Sequence, residues 1–317
     1  MQFSPEMQSL LSSWLQGLTG VGRALAGDPD ISWQEAREAY DRQLAVMLPA
    51  PPGVSFSETA LGGIPALKVT PEAVEEGRTL FYIHGGGYVH GGVQGYRSIA
   101  GHYARMLNAV VYIPDYRQAP EYPFPVPVEV TFRAWRGLLE LNPGRIAISG
   151  DSAGGSMLIT IMRRARDAGL RLPDAAVALS PWADLSHSGE SARSRNRLDS
   201  LSGDVDALNG LARLFLGREL ATHPDVSPVC ADMRGLPPVY ILMGENEVML
   251  SGGIALAERL ADQRVRVRLD VWPGMFHVWP VFVGHMPEAD EALDEAVRFI
   301  LREFIRKKQA DFAVESV

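Results

Sequence analysis

Residues 145–156 read RIAISGDSAGGS, an apolar and β-branched run that ends in small residues around one serine. This pattern is typical of a strand that turns sharply into a helix and presents a serine hydroxyl above a parallel sheet. Gly150 and Gly154 lie two residues on either side of Ser152, where larger side chains would clash with the neighbouring strand and helix. The stretch therefore indicates that Ser152 is a candidate nucleophile.

Two enzyme designs carry such a serine, the secreted, all-β chymotrypsin-like proteases and the α/β-hydrolases. The single cysteine of the chain, Cys230, permits no internal disulfide, which favours a reducing compartment and disfavours the protease. The net charge of −8 and the lack of a basic cluster before Arg306–Lys308 disfavour nucleic acid as a partner. The first residues lack the features of a signal peptide or a membrane span. We expect a cytoplasmic protein that binds neither nucleic acid nor membranes.

Short apolar runs alternate with helical stretches along the chain, which predicts an α/β fold with a mainly parallel sheet and helices on both faces. A hairpin precedes the alternation, and a polar stretch at about 185–225, with a helix at Val205–Leu216, interrupts it as an insertion. A closing helix is predicted from Met286 to Lys308. The predicted strands are Val54–Leu61, Ile64–Thr70, Leu80–Ile83, Val110–Ile113, Arg145–Ser149, Ala175–Leu179, Val239–Met243 and Val265–Trp272.

The first 50 residues differ in pattern from the rest. An apolar stripe from Met7 to Leu18 follows the spacing of one helical face. Ser32 and Glu35 form a capping box that begins a second helix, which ends before three prolines at 49–52. We expect residues 1–50 to be a helical segment and residues 51–317 to be the catalytic core.

A serine nucleophile needs a base, and the base needs an acid that fixes its tautomer. His277 is the histidine that follows the last predicted strand, in a loop with proline and glycine that can return over the sheet. Two acids, Glu245 and Glu247, follow the strand at Val239–Met243, and either can face that loop. The chain order serine, glutamate, histidine is that of α/β-hydrolases and the reverse of the chymotrypsin order.

The reaction also needs N–H donors for a developing oxyanion. Residues Gly85, Gly86 and Gly87 follow a predicted strand, and their backbone can supply such donors together with the amide of Ala153. We expect His84 to orient this loop. His84, His90 and His102 have no carboxylate or cysteine at ligand spacing, so no metal site is predicted.

Through several motifs, the sequence resembles the hormone-sensitive-lipase-like family of bacterial esterases. These motifs are HGGGYV at 84–89, DYRQAPEYPFP at 115–125, GDSAGG at 150–155, SPWAD at 180–184 and GMFH at 274–277. The resemblance runs from about residue 54 to 305. It implies an α/β-hydrolase fold with an N-terminal helical cap, Ser152 as nucleophile, His277 as base, and Gly85, Gly86, Gly87 and Ala153 around the oxyanion.

The same resemblance places the catalytic acid three residues after Gly244, which selects Glu247. It implies small-ester substrates and no cofactor. The chain departs from the family at three positions: Gln118 and Val130, expected to change local packing, and Ser251, expected to weaken support of the acid loop.

The sequence thus predicts a serine carboxylesterase for short- to medium-chain acyl esters. A lactone hydrolase would use the same residues. A non-enzymatic ligand receptor is disfavoured, because related plant receptors lack the base that His277 provides. Alternating Val and Arg on the last strand predict an uncovered sheet edge, through which we expect a homodimer.

Overall fold

The computed structural model describes residues 3–201 and 204–315 of the chain. Within them, eight strands form one sheet in the order β1-β2-β4-β3-β5-β6-β7-β8. The strands are β1 (Val54–Leu61), β2 (Ile64–Pro71), β3 (Arg78–Ile83), β4 (Val110–Pro114), β5 (Arg145–Asp151), β6 (Ala175–Leu179), β7 (Val239–Gly244) and β8 (Val267–Trp272). β1 and β2 form the predicted hairpin, β2 pairs antiparallel with β4, and all pairs from β4 to β8 are parallel. The predicted α/β class is confirmed, and β8 begins two residues later than predicted.

Helices cover both faces of the sheet because successive strand residues point to opposite sides. In β3, Leu80 and Tyr82 join one core, while Phe81 and Ile83 join the other. The first core packs under α4 and α10, and the second under α5, α6 and α9. The helices are α1 (Pro5–Gly17), α2 (Thr19–Leu25), α3 (Trp33–Met47), α4 (Arg97–Leu107), α5 (Val126–Glu140), α6 (Ala153–Asp167), α7 (Ser191–Ser194), α8 (Val205–Leu216), α9 (Leu250–Asp262) and α10 (Pro287–Glu315).

The N-terminal residues form α1, α2 and α3. Of the predicted apolar stripe, Met7, Leu11 and Trp14 are buried, whereas Leu15 is exposed. The Ser32–Glu35 capping box begins α3 as predicted. The short helix α2 is not predicted by the sequence. Trp14 packs on Phe282, 5.2 Å between ring centroids, which fixes α1 beside the loop that follows β8. The division into a cap at 1–50 and a core at 51–317 stays a prediction.

The stretch at 185–225 contains α7 and the predicted helix α8. Its residues 202 and 203 lie outside the described part. At the far side of the sheet, β8 pairs with β7 and forms the edge of the described sheet, as predicted. In the part of the chain that the structure describes, no helix is both long and apolar enough to cross a bilayer.

Candidate active site

Ser152 lies on a strained turn between β5 and α6. Its φ angle is +52°, in the left-handed region that non-glycine residues rarely adopt. The turn is held by Ser152 N–H, which donates to the Leu179 carbonyl at 2.9 Å, and by Trp182 N–H, which donates to the Ser152 carbonyl at 3.0 Å. A Cβ on Gly154 would lie 2.0 Å from the Ile83 carbonyl oxygen. Only glycine therefore fits beside the serine, as the sequence pattern indicates.

Ser152, His277 and Glu247 form a continuous buried chain of hydrogen-bonding groups. Ser152 Oγ lies 2.9 Å from His277 Nε2, and His277 Nδ1 lies 3.0 Å from Glu247 Oε2. The three groups come from the ends of different elements: the β5–α6 turn, the loop after β8 and the loop after β7. The carboxyl ends of parallel strands meet at one edge of the sheet, which brings these distant residues together.

The structure brings Glu247, and not Glu245, to the histidine. Glu247 is fully buried, and its Oε1 accepts hydrogen bonds from the Ser180 hydroxyl at 2.7 Å and from the Gly244 amide. Glu245 is exposed, and its Oε2 accepts the Gly274 N–H at 2.9 Å. Glu245 thus fixes the histidine loop from outside, while Glu247 contacts the ring.

The environment favours the protonated form of His277. Burial lowers the pKa of the imidazole, but the hydrogen bond to Glu247 and the charges of Glu247, Asp199 and Asp151 outweigh it and raise the pKa above 6.5. The ring is therefore a stronger base than a free imidazole. A raised pKa also means that the ring takes up the serine proton more readily when the hydroxyl attacks.

Asp199 is a second acid at the histidine, and it comes from the predicted insertion. Its carboxylate accepts the backbone N–H of His277 at 3.1 and 3.2 Å and the N–H of Leu201 at 2.9 Å. The side chain is buried. Asp199 therefore ties the main chain of His277 to a segment whose Leu201 lines the cavity above the serine.

Three backbone amides next to Ser152 can serve an oxyanion. The N–H groups of Gly86, Gly87 and Ala153 donate to no acceptor among residues 3–201 and 204–315. The sequence also predicts Gly85 as an oxyanion donor, and this is wrong. The N–H of Gly85 donates to Asp151 Oδ1 at 3.0 Å and is not free to bind an oxyanion. The loop thus offers two glycine amides, joined by Ala153 at the first position of α6, where helical N–H groups lack internal partners.

Asp151 anchors the glycine loop. Besides Gly85, its carboxylate accepts the hydroxyls of Tyr82 at 2.8 Å and Tyr96 at 3.3 Å. Burial raises the pKa of this carboxyl to about 6, although those hydrogen bonds and the charge of His277 oppose the rise. Asp151 therefore holds the glycine loop, through Gly85 N–H, next to the turn that carries Ser152.

His84 orients the same loop, in agreement with the sequence interpretation. Its ring is fully buried and stacks on Tyr116 at 4.3 Å between centroids. His84 Nδ1 lies 2.8 Å from the Gly85 carbonyl, and the Tyr116 hydroxyl donates to the His84 carbonyl at 3.0 Å. Burial lowers the pKa of His84 to about 4, so the ring is neutral at pH 7 and Nδ1–H can donate to that carbonyl.

The departures from the family pattern have local explanations. Gln118 Nε2 donates to the carbonyls of His90 and Gly91, at 2.7 and 3.1 Å, and so supports the glycine loop. The expected weakening of the acid loop at Ser251 stays a prediction. Ser251 N–H donates to Ser191 Oγ at 2.8 Å and Ser191 N–H donates to Ser251 Oγ at 2.9 Å, so a pair of serine bonds ties α9 to α7. Val130 is half-buried and packs against the second core.

A cavity of about 220 Å³ opens above the serine. Ser152 and His277 form its floor, and most of the wall is apolar. The wall comes from α1 and α2, from α8, and from the loops after β3 and β6; its residues include Trp14, Leu18, Val21, Leu25, Leu208 and Leu211. Such a cavity suits a small apolar group held beside a reactive atom.

No group of three or more histidine, cysteine, aspartate or glutamate side chains at metal-binding geometry occurs among the described residues. The groups around Ser152 thus include a hydroxyl, an imidazole, a carboxylate and unpaired N–H donors.

Sequence reasoning missed Ser180, Asp151 and Asp199 as site residues. Ser180 follows β6, so the rule that binding residues follow parallel strands would have included it. Its Oγ also accepts the Val278 N–H at 3.0 Å, which joins the acid to the histidine loop. Asp151 is next to the nucleophile. Asp199 carries no local signal, because its position follows only from a contact across 78 residues.

Comparisons with known proteins identify the fold and the relatives of the chain. A family model described as the α/β-hydrolase fold matches residues 80–281. The chain is 37% identical over 272 residues to an acetyl-hydrolase of Streptomyces hygroscopicus, covering 85% of this chain and 88% of that protein. It is 28% identical to an esterase of Acinetobacter venetianus, covering 81% of this chain and 85% of that protein.

Among solved structures, the crystal structure of an esterase from the bacterial hormone-sensitive lipase family is similar to this one. It has a TM-score of 0.86 and 33% sequence identity, and the match covers 96% of this chain and 99% of that chain. The fold, the motifs and these relatives lead to one conclusion: the chain belongs to the α/β-hydrolase family, among the esterases related to hormone-sensitive lipase.

Proposed function

We propose that the protein hydrolyses carboxylic esters of short- to medium-chain acids through a covalent acyl-serine intermediate. The observation that carries this proposal is the chain Ser152 Oγ, His277 and Glu247, with 2.9 and 3.0 Å between successive groups, at the floor of an apolar cavity. The names of the relatives support the same reaction class.

In the first half of the reaction, His277 Nε2 takes the hydroxyl proton as Ser152 Oγ attacks the ester carbonyl carbon. Glu247 holds Nδ1–H and stabilises the imidazolium that forms. The amides of Gly86, Gly87 and Ala153 stabilise the negative charge on the former carbonyl oxygen. The C–O bond to the alcohol then breaks, and His277 returns the proton to the leaving alcohol.

In the second half, the acyl group stays on Ser152 Oγ. His277 takes a proton from water, and the resulting hydroxide attacks the acyl carbon. The bond to Oγ breaks, and the proton returns to Ser152 as the acid leaves. One ester and one water thus give one acid and one alcohol, with no redox change and no cofactor.

We propose a helical cap at residues 1–50, joined by the insertion at about 185–225. Its support is that Trp14, Leu18 and Leu25 line the cavity together with Leu208 and Leu211. The apolar wall then limits the length of the acyl chain, because a chain that outgrows the cavity must displace the helices.

Assembly and location are further proposals. We propose a homodimer through the exposed side of β8, since an uncovered edge offers unpaired backbone groups. A monomer mass in analytical ultracentrifugation at micromolar concentration would contradict the homodimer.

The single cysteine, Cys230, is consistent with a cytoplasmic location.

The reaction is tested with p-nitrophenyl esters from acetate to dodecanoate and with a set of lactones. We expect turnover of the short and medium esters and a steep decline toward dodecanoate. Ser152→Ala serves as the control for contaminating hydrolases. Turnover of lactones with no hydrolysis of open-chain esters would contradict the proposed substrate class.

A further inference from the structure

His187 joins two parts of the cavity wall through its ring. The residue lies in the loop after β6, where the indole Nε1–H of Trp182 donates to His187 Nε2 at 2.8 Å. On the other side of the ring, His187 Nδ1 lies 2.9 Å from Asn209 Oδ1 of α8. The imidazole also stacks on the Trp182 indole, with 5.6 Å between centroids and 17° between planes. The three side chains thus form a polar bridge from the β6 loop to α8.

Both ends of this bridge belong to the wall of the active-site cavity. Trp182 lines the cavity directly. On α8, Leu208 and Leu211 lie on either side of Asn209 in the sequence and also line the cavity. A Cβ on Gly87 would lie 2.9 Å from Leu211 Cδ1, so α8 lies directly against a glycine whose amide can serve the oxyanion. A small shift of α8 therefore changes the space at the floor of the cavity.

Two further contacts hold α8 near its ends. Close to its carboxyl end, the Phe215 ring stacks on Tyr88 at 3.8 Å between centroids. At its start, Val205 N–H donates to Asn196 Oδ1 at 3.1 Å. The bond to His187 lies between these two contacts. Loss of that bond would remove a polar restraint from the part of α8 that lines the cavity.

The two bonds of the bridge require one neutral tautomer of His187. An indole N–H can only donate, so Nε2 must be free to accept, and the proton of the neutral ring lies on Nδ1. Nδ1–H then donates to Asn209 Oδ1, and both bonds are satisfied. A second proton would lie on Nε2 and face the Trp182 N–H, donor against donor. The protonated ring therefore cannot keep the bridge.

The surroundings of His187 keep the ring neutral at pH 7 and let it become charged in acid. Burial lowers the pKa of His187 below 6.5, although the hydrogen bond to Asn209 and the charge of Asp184 oppose the fall. The small cavity beside the ring is lined by Asp184 of its own loop, and α7 and α9 face it with the neutral Ser191 and Ser251. The ring is half-buried, so protons from solvent reach it.

We propose that His187 is a positioning residue that sets the acyl specificity of the site. The neutral ring holds α8 over the cavity, and the protonated ring releases it, so that longer acyl chains enter at acid pH. The inference rests on the proposed ester hydrolysis at Ser152 and adds a control of specificity to the same site.

The test compares kcat/KM for p-nitrophenyl octanoate and p-nitrophenyl acetate between pH 8 and pH 5, with the released product quantified by chromatography. Protonation of His277 lowers both values equally, because kcat/KM reports the free enzyme, so the ratio of the two values is independent of it. We expect the octanoate-to-acetate ratio of the wild-type protein to rise by about tenfold as the pH falls below 6.5. His187→Phe keeps an aromatic ring but can make neither bond, so it should show the raised ratio at every pH.

Two variants separate a titrating bridge from a merely structural role. His187→Gln offers an acceptor and a donor that do not titrate, so it should keep the low ratio of the neutral wild type throughout. Asn209→Asp places a carboxylate beside Nδ1–H, which raises the pKa of His187 and should move the rise in the ratio to higher pH. His285→Gln, at an exposed histidine, is the matched control and should keep the wild-type curve.

Two results would overturn the inference alone. They are a wild-type ratio that stays constant with pH, and a rise of the same size in His187→Gln. Failure of the wild-type protein to hydrolyse either ester at any pH would instead overturn the proposed function and this inference with it.

Discussion

The Asp199 carboxylate accepts the backbone N–H of His277 through both oxygens, at 3.1 and 3.2 Å. Asp199 belongs to the segment between β6 and α8, and His277 follows β8. The bond therefore joins the insertion, which supplies part of the cavity wall, to the residue that moves protons. Substrate binding and base position are linked through this contact.

Replacement of Asp199 by Asn tests that link. The variant keeps the side-chain shape but removes the charge and turns one acceptor into a donor facing His277 N–H. We expect kcat to fall by about tenfold through misplacement of the ring. Activity requires neutral His277, and loss of a nearby negative charge lowers the pKa of the imidazole, so the acidic limb of the pH profile should move to lower pH.

Asp206→Asn is the matched control for this experiment. Asp206 lies in the same insertion and is exposed, so its variant should keep the wild-type profile. A purely structural role for Asp199 would lower activity without moving the acidic limb. That result would count against Asp199 as a positioning residue.

The two glutamates after β7 should differ in kinetic effect. Glu247→Gln offers His277 no charge and permits the wrong tautomer, so kcat should fall by roughly 10² to 10⁴ with little change in KM. Glu245→Gln keeps an oxygen that can accept the Gly274 N–H and removes only a surface charge, so it should cost less than about tenfold. Steady-state kinetics of both variants on one nitrophenyl ester measures this difference. A larger loss of kcat in Glu245→Gln than in Glu247→Gln would refute the assignment of Glu247 as the acid.

Stability should depend on His90 in the acid range. The folded pKa of His90, about 3, lies below its ordinary value of 6.5. A depressed histidine contributes stability above pH 6.5 that is lost as the pH falls, because only the unfolded chain takes up the proton. Between pH 7 and pH 5 the wild-type free energy of unfolding should therefore fall by about 2 kcal/mol more than that of His90→Leu.

Urea denaturation at several pH values measures this difference. Asp151, with its pKa raised to about 6, contributes with the opposite sign, but it is present in both proteins and cancels. His285→Leu replaces an exposed histidine and should keep the wild-type slope. Parallel curves for wild type and His90→Leu would show that His90 is not held neutral by burial.

The proposed cap should control acyl length through Leu18. This side chain lines the cavity at the start of α2, and Leu18→Trp fills part of the space. We expect kcat/KM for p-nitrophenyl octanoate to fall by about tenfold relative to the acetate. Leu141→Trp, at an exposed position after α5, is the control. An equal fall in kcat/KM for the octanoate and the acetate would mean that α1 and α2 pack on the core without limiting acyl length.

Local rules predicted much of the fold and of the site. The strands follow from their apolar runs, and the capping box at Ser32 marks the start of α3. The sequence did not predict helix α2, because Gly20 and Gly22 lower the helix propensity of its seven residues. Burial of Val21 and Ala24 stabilises it instead, and that is a tertiary contact.

The parts of the site that the sequence did not predict depend on where distant groups meet. The three glycines after His84 look equivalent in sequence. In the structure, the N–H of Gly85 donates to Asp151, and only those of Gly86 and Gly87 remain available to an oxyanion. Glu245 and Glu247 differ only in the direction of the loop, and motif resemblance rather than residue chemistry chose between them. Asp199 lies in a polar stretch with no pattern that marks it.

The central claim is that Ser152 forms the acyl-enzyme. Labelling with a fluorophosphonate, followed by peptide mass spectrometry, tests it most directly. We predict one adduct, on Ser152, that is absent from a folded Ser152→Ala variant, together with a loss of ester hydrolysis by roughly 10⁴-fold or more in that variant. An adduct on another residue, or a Ser152→Ala protein that still hydrolyses esters at the wild-type rate, would contradict it.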